Sequence, residues 1–167
     1  LGRAMRQIKA RSGRSVDLLA FDACYMAMLS VMAEVKDYAS VITASQDIEP
    51  NTGYPYGKIL AALRASPDMT AEDLGARIVK DFGAAYDNGK ESAIKTSALP
   101  AVFSALSAWS DAVMARGAVT PAAAAKVKTE ASYGYYNAPD DLTHPMSADL
   151  CSYVALVSAD KKLAKNK

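Results

Sequence analysis

The run Val16-Asp17-Leu18-Leu19-Ala20-Phe21 constrains the fold of this chain more than any other stretch, because the hydrophobic period changes abruptly after it. Apart from Asp17 it is apolar, which suits a central strand covered on both faces in a parallel sheet. Across residues 25–38, Met28, Val31, Met32 and Val35 recur at helical spacing, while Glu34, Lys36 and Asp37 fall on the other side. Residues 40–45 are short and β-branched and predict a second strand. Residues 15–46 therefore read as one βαβ unit, with a right-handed crossover and parallel strands. This α/β arrangement delivers Cys24 to the carboxyl end of the first strand, where a helix begins. Ligands and chemistry collect at that end of an open α/β sheet, and a helix N-terminus favours a thiolate.

The second strand runs out into residues 46–57, where Pro50, Asn51, Gly53 and Pro55 favour turns and Tyr54 and Tyr56 supply aromatic surface. Parallel strands end on one side, so this loop should border Cys24. Residues 2–11 predict a short helix with Ala4, Met5 and Ile8 inward and Gly13 as its stop. Residues 58–65 predict another. Thr70, followed three residues later by Asp73, has the pattern of a helix cap, and Leu74, Ile78, Phe82 and Tyr86 form an inner stripe. Residues 92–97 predict a strand. Pro100 opens a helix with Val102, Phe103, Leu106, Trp109 and Val113 inward and Gly117 at its end, Thr120-Pro121 opens an alanine-rich one, and residues 147–158 form a last helix with Cys151 in its core. The C-terminal half is thus mainly helical.

Composition narrows the function. The chain has 167 residues, 51% of them hydrophobic and 22% charged, which suits a single globular domain. A net charge of +1 supplies no general attraction to nucleic acid or acidic membranes. No run of about eighteen apolar residues predicts a membrane span. The chain opens on Leu1 without a signal peptide, so it is expected to begin inside a longer precursor. Two cysteines are too few for a disulfide framework, and no spacing of His, Cys and acids suits zinc.

Three segments then stand in a telling order: Asp17-Leu18-Leu19-Ala20-Phe21-Asp22-Ala23-Cys24-Tyr25-Met26-Ala27, Glu34-Val35-Lys36-Asp37-Tyr38, and Thr43-Ala44-Ser45-Gln46-Asp47-Ile48-Glu49-Pro50-Asn51-Thr52-Gly53-Tyr54-Pro55-Tyr56. Together they resemble the clostripain-like cysteine peptidases, enzymes of the caspase fold. The likeness is strongest over residues 16–60 and looser after residue 90, at residues 92–99 and 149–153. It implies a caspase-like, mostly parallel sheet flanked by helices. This chain, residues 1–167 as a single domain, would be the C-terminal portion of a larger catalytic domain. The implied activity is a cysteine endopeptidase that cuts after Arg or Lys and is activated by self-cleavage into two chains. The implied location is outside the cell or in a bacterial cell envelope.

The resemblance makes Cys24 the nucleophile. Asp22 lies two residues earlier, so along a strand the two side chains share a face. A carboxylate there raises a thiol's pKa, which argues against its activating Cys24; the resemblance instead assigns Asp22 to the substrate's basic side chain. Asp47 and Glu49 are alternatives for a second pocket carboxylate. Tyr54 and Tyr56 either wall the groove or anchor the loop. His144 is the sole histidine and follows Cys24, in the turn-like Thr143-His144-Pro145, whereas the family's catalytic histidine precedes the cysteine. The implied partner is therefore an N-terminal light chain of the same precursor that carries the histidine. Calcium is required by the family's founding member, but no Asp-rich calcium loop occurs here, so calcium stays open and no other cofactor is expected. Two alternatives remain: a catalytically inactive caspase-fold binding or scaffold module, and a stand-alone hydrolase pairing Cys24 with His144.

Overall fold

Strand β1 (Val16–Ala20) and strand β2 (Ala39–Ser45) pair in parallel, with Leu18 opposite Val41 and Leu19 opposite Ile42. In the computed structural model of the chain, the described residues are 1–87, 89–115, 132–133 and 147–159. They fall into two compact units, Leu1–Val102 and Phe103–Lys167.

The first unit holds the predicted α/β core. Strand β3 (Glu91–Lys95) pairs antiparallel with the other edge of β2, setting Ile42 opposite Ile94 and Ser45 opposite Glu91. The sheet is therefore mixed, in the order β1-β2-β3. The strand covered on both faces is β2, in which every residue except Ser40 is buried. In β1, expected to be central, Asp17 and Ala20 are exposed. The reason is its place: among the described residues β1 is paired on one edge only.

Helix α1 (Gly2–Ser12) ends as predicted, at Gly13 in the left-handed region with φ 74°. Its buried side chain is Met5; Ala4 is exposed and Ile8 is 45% exposed, so the expected three-residue apolar face is not covered. Helix α2 (Leu29–Val35) is shorter than the predicted 25–38. The cause is local: Tyr25 adopts φ 59°, which no right-handed helix accommodates. The amides of Tyr25 and Ala27 donate instead to Asp47 O at 3.0 Å and Ser45 O at 2.9 Å.

Helices α3 (Tyr56–Ala65) and α4 (Ala71–Ala85) complete the unit. Thr70 caps α4, accepting from the amide of Asp73 at 3.1 Å, an arrangement worth about 1 kcal/mol. The predicted stripe faces inward. Ile78 and Phe82 form a buried cluster with Tyr54 and Ile59, with Leu74 and Tyr86 half-buried against it. Burial of a side chain like Phe82 contributes about 1.5–3 kcal/mol. Gly75 lets α4 approach the sheet closely, since a Cβ there would lie 3.0 Å from Val41 Cγ1.

Helix α5 (Leu99–Ala115) follows a single 3₁₀ turn, Thr96–Ala98. In the second unit, a short ladder joins β4 (Ser132–Tyr133) to β5 (Ser147–Ala148), and Asp149 caps α6 (Leu150–Ser158) by accepting from Ser152 N at 2.8 Å. The last helix thus begins later than predicted, because residues 147–148 are extended. Cys151, expected in its core, is exposed. Segment Thr96–Ala115 is long and apolar enough to cross a membrane, at mean hydropathy 1.3. Only 6% of its apolar window is buried: Trp109 on it packs edge-on against Tyr153, centroids 5.9 Å apart, and donates to Ser158 Oγ, while Val102, expected inward, is 39% exposed. The predicted alanine-rich helix and His144 lie outside the described residues.

Candidate active site

Strand β1 stops at Ala20, though the amide of Phe21 still donates to Thr43 O at 2.9 Å. The backbone then turns, and Cys24 stands exposed beyond the strand end. Its sulfur accepts from the amide of Glu49 at 3.2 Å. Tyr25, the one non-glycine residue with positive φ among the described residues, follows directly. Such backbone strain clusters at functional sites, and here the bonds from Tyr25 and Ala27 to the end of β2 hold it in place.

Asp22 is not on the strand, so the shared-face argument does not place it. Its position comes from loop 46–55 instead. Asp22 Oδ2 accepts from Tyr54 N at 3.3 Å and from Tyr56 Oη at 2.8 Å. Its bond to Asp22, together with burial, pushes the Tyr56 phenol above its ordinary range. Gly53, at φ 66°, sits against the same carboxylate. The loop is braced by α4's end, where Tyr86 Oη donates to Gly53 O at 2.6 Å.

The two loop acids separate. Asp47 accepts from Lys90 Nζ at 2.6 Å and from Ile48 N at 2.8 Å. Burial pushes its carboxyl up, but these two donors outweigh burial and hold it below its ordinary value. Glu49 points inward and is 6% exposed, with neither carboxylate oxygen hydrogen-bonded. Burial and then the charge of Asp22 push its pKa up.

A third acid was not legible in the sequence. Glu91 opens β3, and the register Ser45–Glu91 carries it to the same end of the sheet. Its Oε1 faces Tyr54 Oη at 2.5 Å. Burial, then Glu49 and Asp22, push its pKa up to about 8. Tyr54, expected as a groove wall or loop anchor, is the anchor: it is buried, its hydroxyl donates to Phe21 O at 2.9 Å, and burial raises its pKa strongly. Tyr56 is 51% exposed and lines the open side. No local signal marks Glu91 as a site residue; only strand register does.

The site thus gathers an exposed thiol, an amide donor to its sulfur, and three neighbouring carboxylates at the carboxyl ends of β1 and β2. Among the described residues, no set of three His, Cys, Asp or Glu side chains is placed to ligate one metal ion.

A sequence profile of the clostripain family matches residues 3–164. The chain belongs to the clostripain family. No curated protein matches it by sequence. Solved structures do match this clostripain-family chain. A clostripain from Bacteroides thetaiotaomicron, in complex with the peptide inhibitor BTN-VLTK-AOMK, is 18% identical with a TM-score of 0.62, over 98% of this chain and 67% of that one. An inactive zymogen C11 protease from Parabacteroides distasonis is 19% identical with a TM-score of 0.62, over 92% of this chain and 41% of that one. A secreted C11 cysteine protease from B. thetaiotaomicron, also 19% identical at a TM-score of 0.62, is matched over 93% and 41%. At such identities the likeness is one of fold, and the fold is caspase-like α/β. This clostripain-family chain covers part of the catalytic domain.

Proposed function

We propose that this chain is the nucleophile-bearing portion of a cysteine endopeptidase that cleaves after Arg or Lys. The observation that carries the reading is the exposed sulfur of Cys24, held by the Glu49 amide beside Asp22, Glu49 and Glu91. Family membership supports the peptidase class. The thiolate attacks the scissile carbonyl, and backbone NH groups stabilise the oxyanion. As the C–N bond breaks, an imidazolium passes its proton to the leaving amine. Water then releases the acyl group from sulfur. No step of this chemistry calls for a cofactor.

The basic specificity is supported by the carboxylates gathered at the site, with Asp22 on the open side. One relative of similar fold is complexed with a peptide inhibitor whose sequence, VLTK, ends in lysine. The histidine is proposed to come from an N-terminal chain of the same precursor, cut by self-processing. In support, β1 has an unpaired edge among the described residues. A groove of about 770 Å³ lined by Val16, Leu18 and Leu74 together with Arg14, Asp17 and Glu72 lies beside its amino-terminal half. The zymogen among the structural relatives is consistent with such processing, and the secreted relative with a location outside the cell or in its envelope.

An acyloxymethyl ketone peptide ending in Lys or Arg tests the reading on the full-length protein. Mass spectrometry is expected to find the label on Cys24, and Cys24→Ala to lower turnover by at least about 10³-fold without unfolding. Absence of labelling on folded, processed protein would favour the inactive scaffold. His144→Ala is expected to leave activity nearly intact; complete loss would favour a Cys24-His144 pair.

A further inference from the structure

We infer that Glu49 and Glu91 form the floor of the site for the substrate's basic side chain, and that without substrate the two carboxyls hold a proton between them which the incoming cation displaces. This deepens the specificity reading above and rests on it.

Three geometric observations carry it. First, Glu49 is 6% exposed, and both its carboxylate oxygens, together with Glu91 Oε2, are buried without a hydrogen-bond partner. A buried ionised carboxylate with no donor is strongly disfavoured. Second, the two carboxyl groups face one another. As two carboxylates they have no donor between them; with a proton on either one they hydrogen-bond to each other. Third, the Tyr54 hydroxyl carries one proton but faces two acceptors, Phe21 O at 2.9 Å and Glu91 Oε1 at 2.5 Å. A proton on Glu91 resolves that shortage as well.

The surrounding charges agree. Burial, then Glu49 and Asp22, raise the Glu91 pKa to about 8 against the hydrogen bond from Tyr54, which lowers it. Lys90, next in sequence, binds Asp47. Two adjacent buried carboxyls titrate as a pair and share one proton near neutral pH. A guanidinium or ammonium entering past Asp22 and Tyr56 supplies the positive charge the pair lacks, and the proton leaves to solvent. Binding of a cation is then coupled to proton release and tightens as pH rises. The pair also favours a charged side chain over an isosteric neutral one, which would leave these carboxyls as they are.

Calorimetry with benzamidine as the cationic probe tests this on the processed full-length protein with Cys24 capped by methyl methanethiosulfonate, which removes the thiol's own titration. Titrations in two buffers of different ionisation enthalpy count protons. The expected release is about one proton per benzamidine near neutral pH, with affinity rising up to about 10-fold per pH unit below the pair's apparent pKa. Glu49→Gln and Glu91→Gln should each abolish the release and weaken binding by about 10-fold or more, with circular dichroism confirming the fold. If either variant fails to fold, the proton count on the parent decides alone. Binding without proton release and with a flat profile between about pH 6 and 9 would overturn the proton-holding pair and leave basic specificity standing. If benzamidine does not bind, and peptides with Leu before the cut bond turn over as fast as Arg peptides, the specificity reading falls and this inference falls with it.

Discussion

A methyl group on the α-carbon of Gly53 would lie 2.5 Å from Oδ2 of Asp22. Gly53 also adopts φ 66°, a left-handed backbone that disfavours a side chain by about 1–2 kcal/mol. Gly53→Ala is therefore expected to lower unfolding free energy by at least that amount, read by urea denaturation. Because Asp22 must move to admit the methyl, turnover of Arg and Lys peptides should fall more than that of neutral ones. Unchanged stability and selectivity would show that the loop is not held against Asp22.

Asp22 and Asp47 should behave differently. Asp22 faces the open side, whereas Asp47 is engaged by Lys90. Asp22→Asn is expected to lower kcat/KM for basic peptides by about 30-fold or more relative to neutral ones. Asp47→Asn, which breaks a partly exposed ion pair, should alter stability by less than about 1 kcal/mol and leave the ratio within a few-fold. The opposite ranking would make Asp47 the pocket acid.

Tyr54 ties the loop to the sheet through one hydroxyl, at Phe21 O and Glu91 Oε1. Tyr54→Phe keeps the ring contacts with Phe82 but strips both atoms of their partner. The expected loss is about 1–3 kcal/mol of unfolding free energy, measured by urea denaturation. A neutral effect would mean that ordered water replaces the hydroxyl.

Glu91 has a consequence for stability against pH. Its pKa rises from 4.5 to about 8 on folding, through burial and the charges of Glu49 and Asp22. Between those values the native chain holds a proton that the unfolded chain has released, so stability falls as pH rises across this window and levels off above it. Asp47, Glu72 and Asp149, held below their ordinary values, act in the other direction, but only under acid conditions. The urea midpoint is therefore expected to be lower near pH 8 than near pH 5, and Glu91→Gln should flatten most of that decline. A midpoint that climbs with pH in both proteins would exclude the effect.

Much of the first unit was legible because its signals are local. The change of period after Phe21, the β-branched run at residues 40–45 and the Thr70–Asp73 cap each specify an element through neighbouring residues. Parallel pairing then places loop 46–57 beside Cys24, as found in the bonds from Glu49 N to sulfur and from Tyr25 N to Asp47 O. The late start of α2 was not legible, because it depends on the amides of Tyr25 and Ala27 finding carbonyls at the end of β2 rather than within a helical turn. The fate of the loop acids was hidden for a similar reason. Nothing near Asp47 announces that Lys90 will reach it, and nothing near Glu49 announces a second buried carboxyl.

What the chain's sequence determined by itself is the strand, helix and strand around Cys24, together with the family those segments mark, since periodicity, caps and ordered motifs are written in adjacent residues. What only the tertiary structure decided is which acids meet. The antiparallel return of β3 seats Glu91 opposite Ser45, and Tyr54 folds back across the strand ends to face it. Such meetings depend on strand register between distant segments, and an acid's neighbours in space, not its neighbours in sequence, settle whether it carries a charge or a proton.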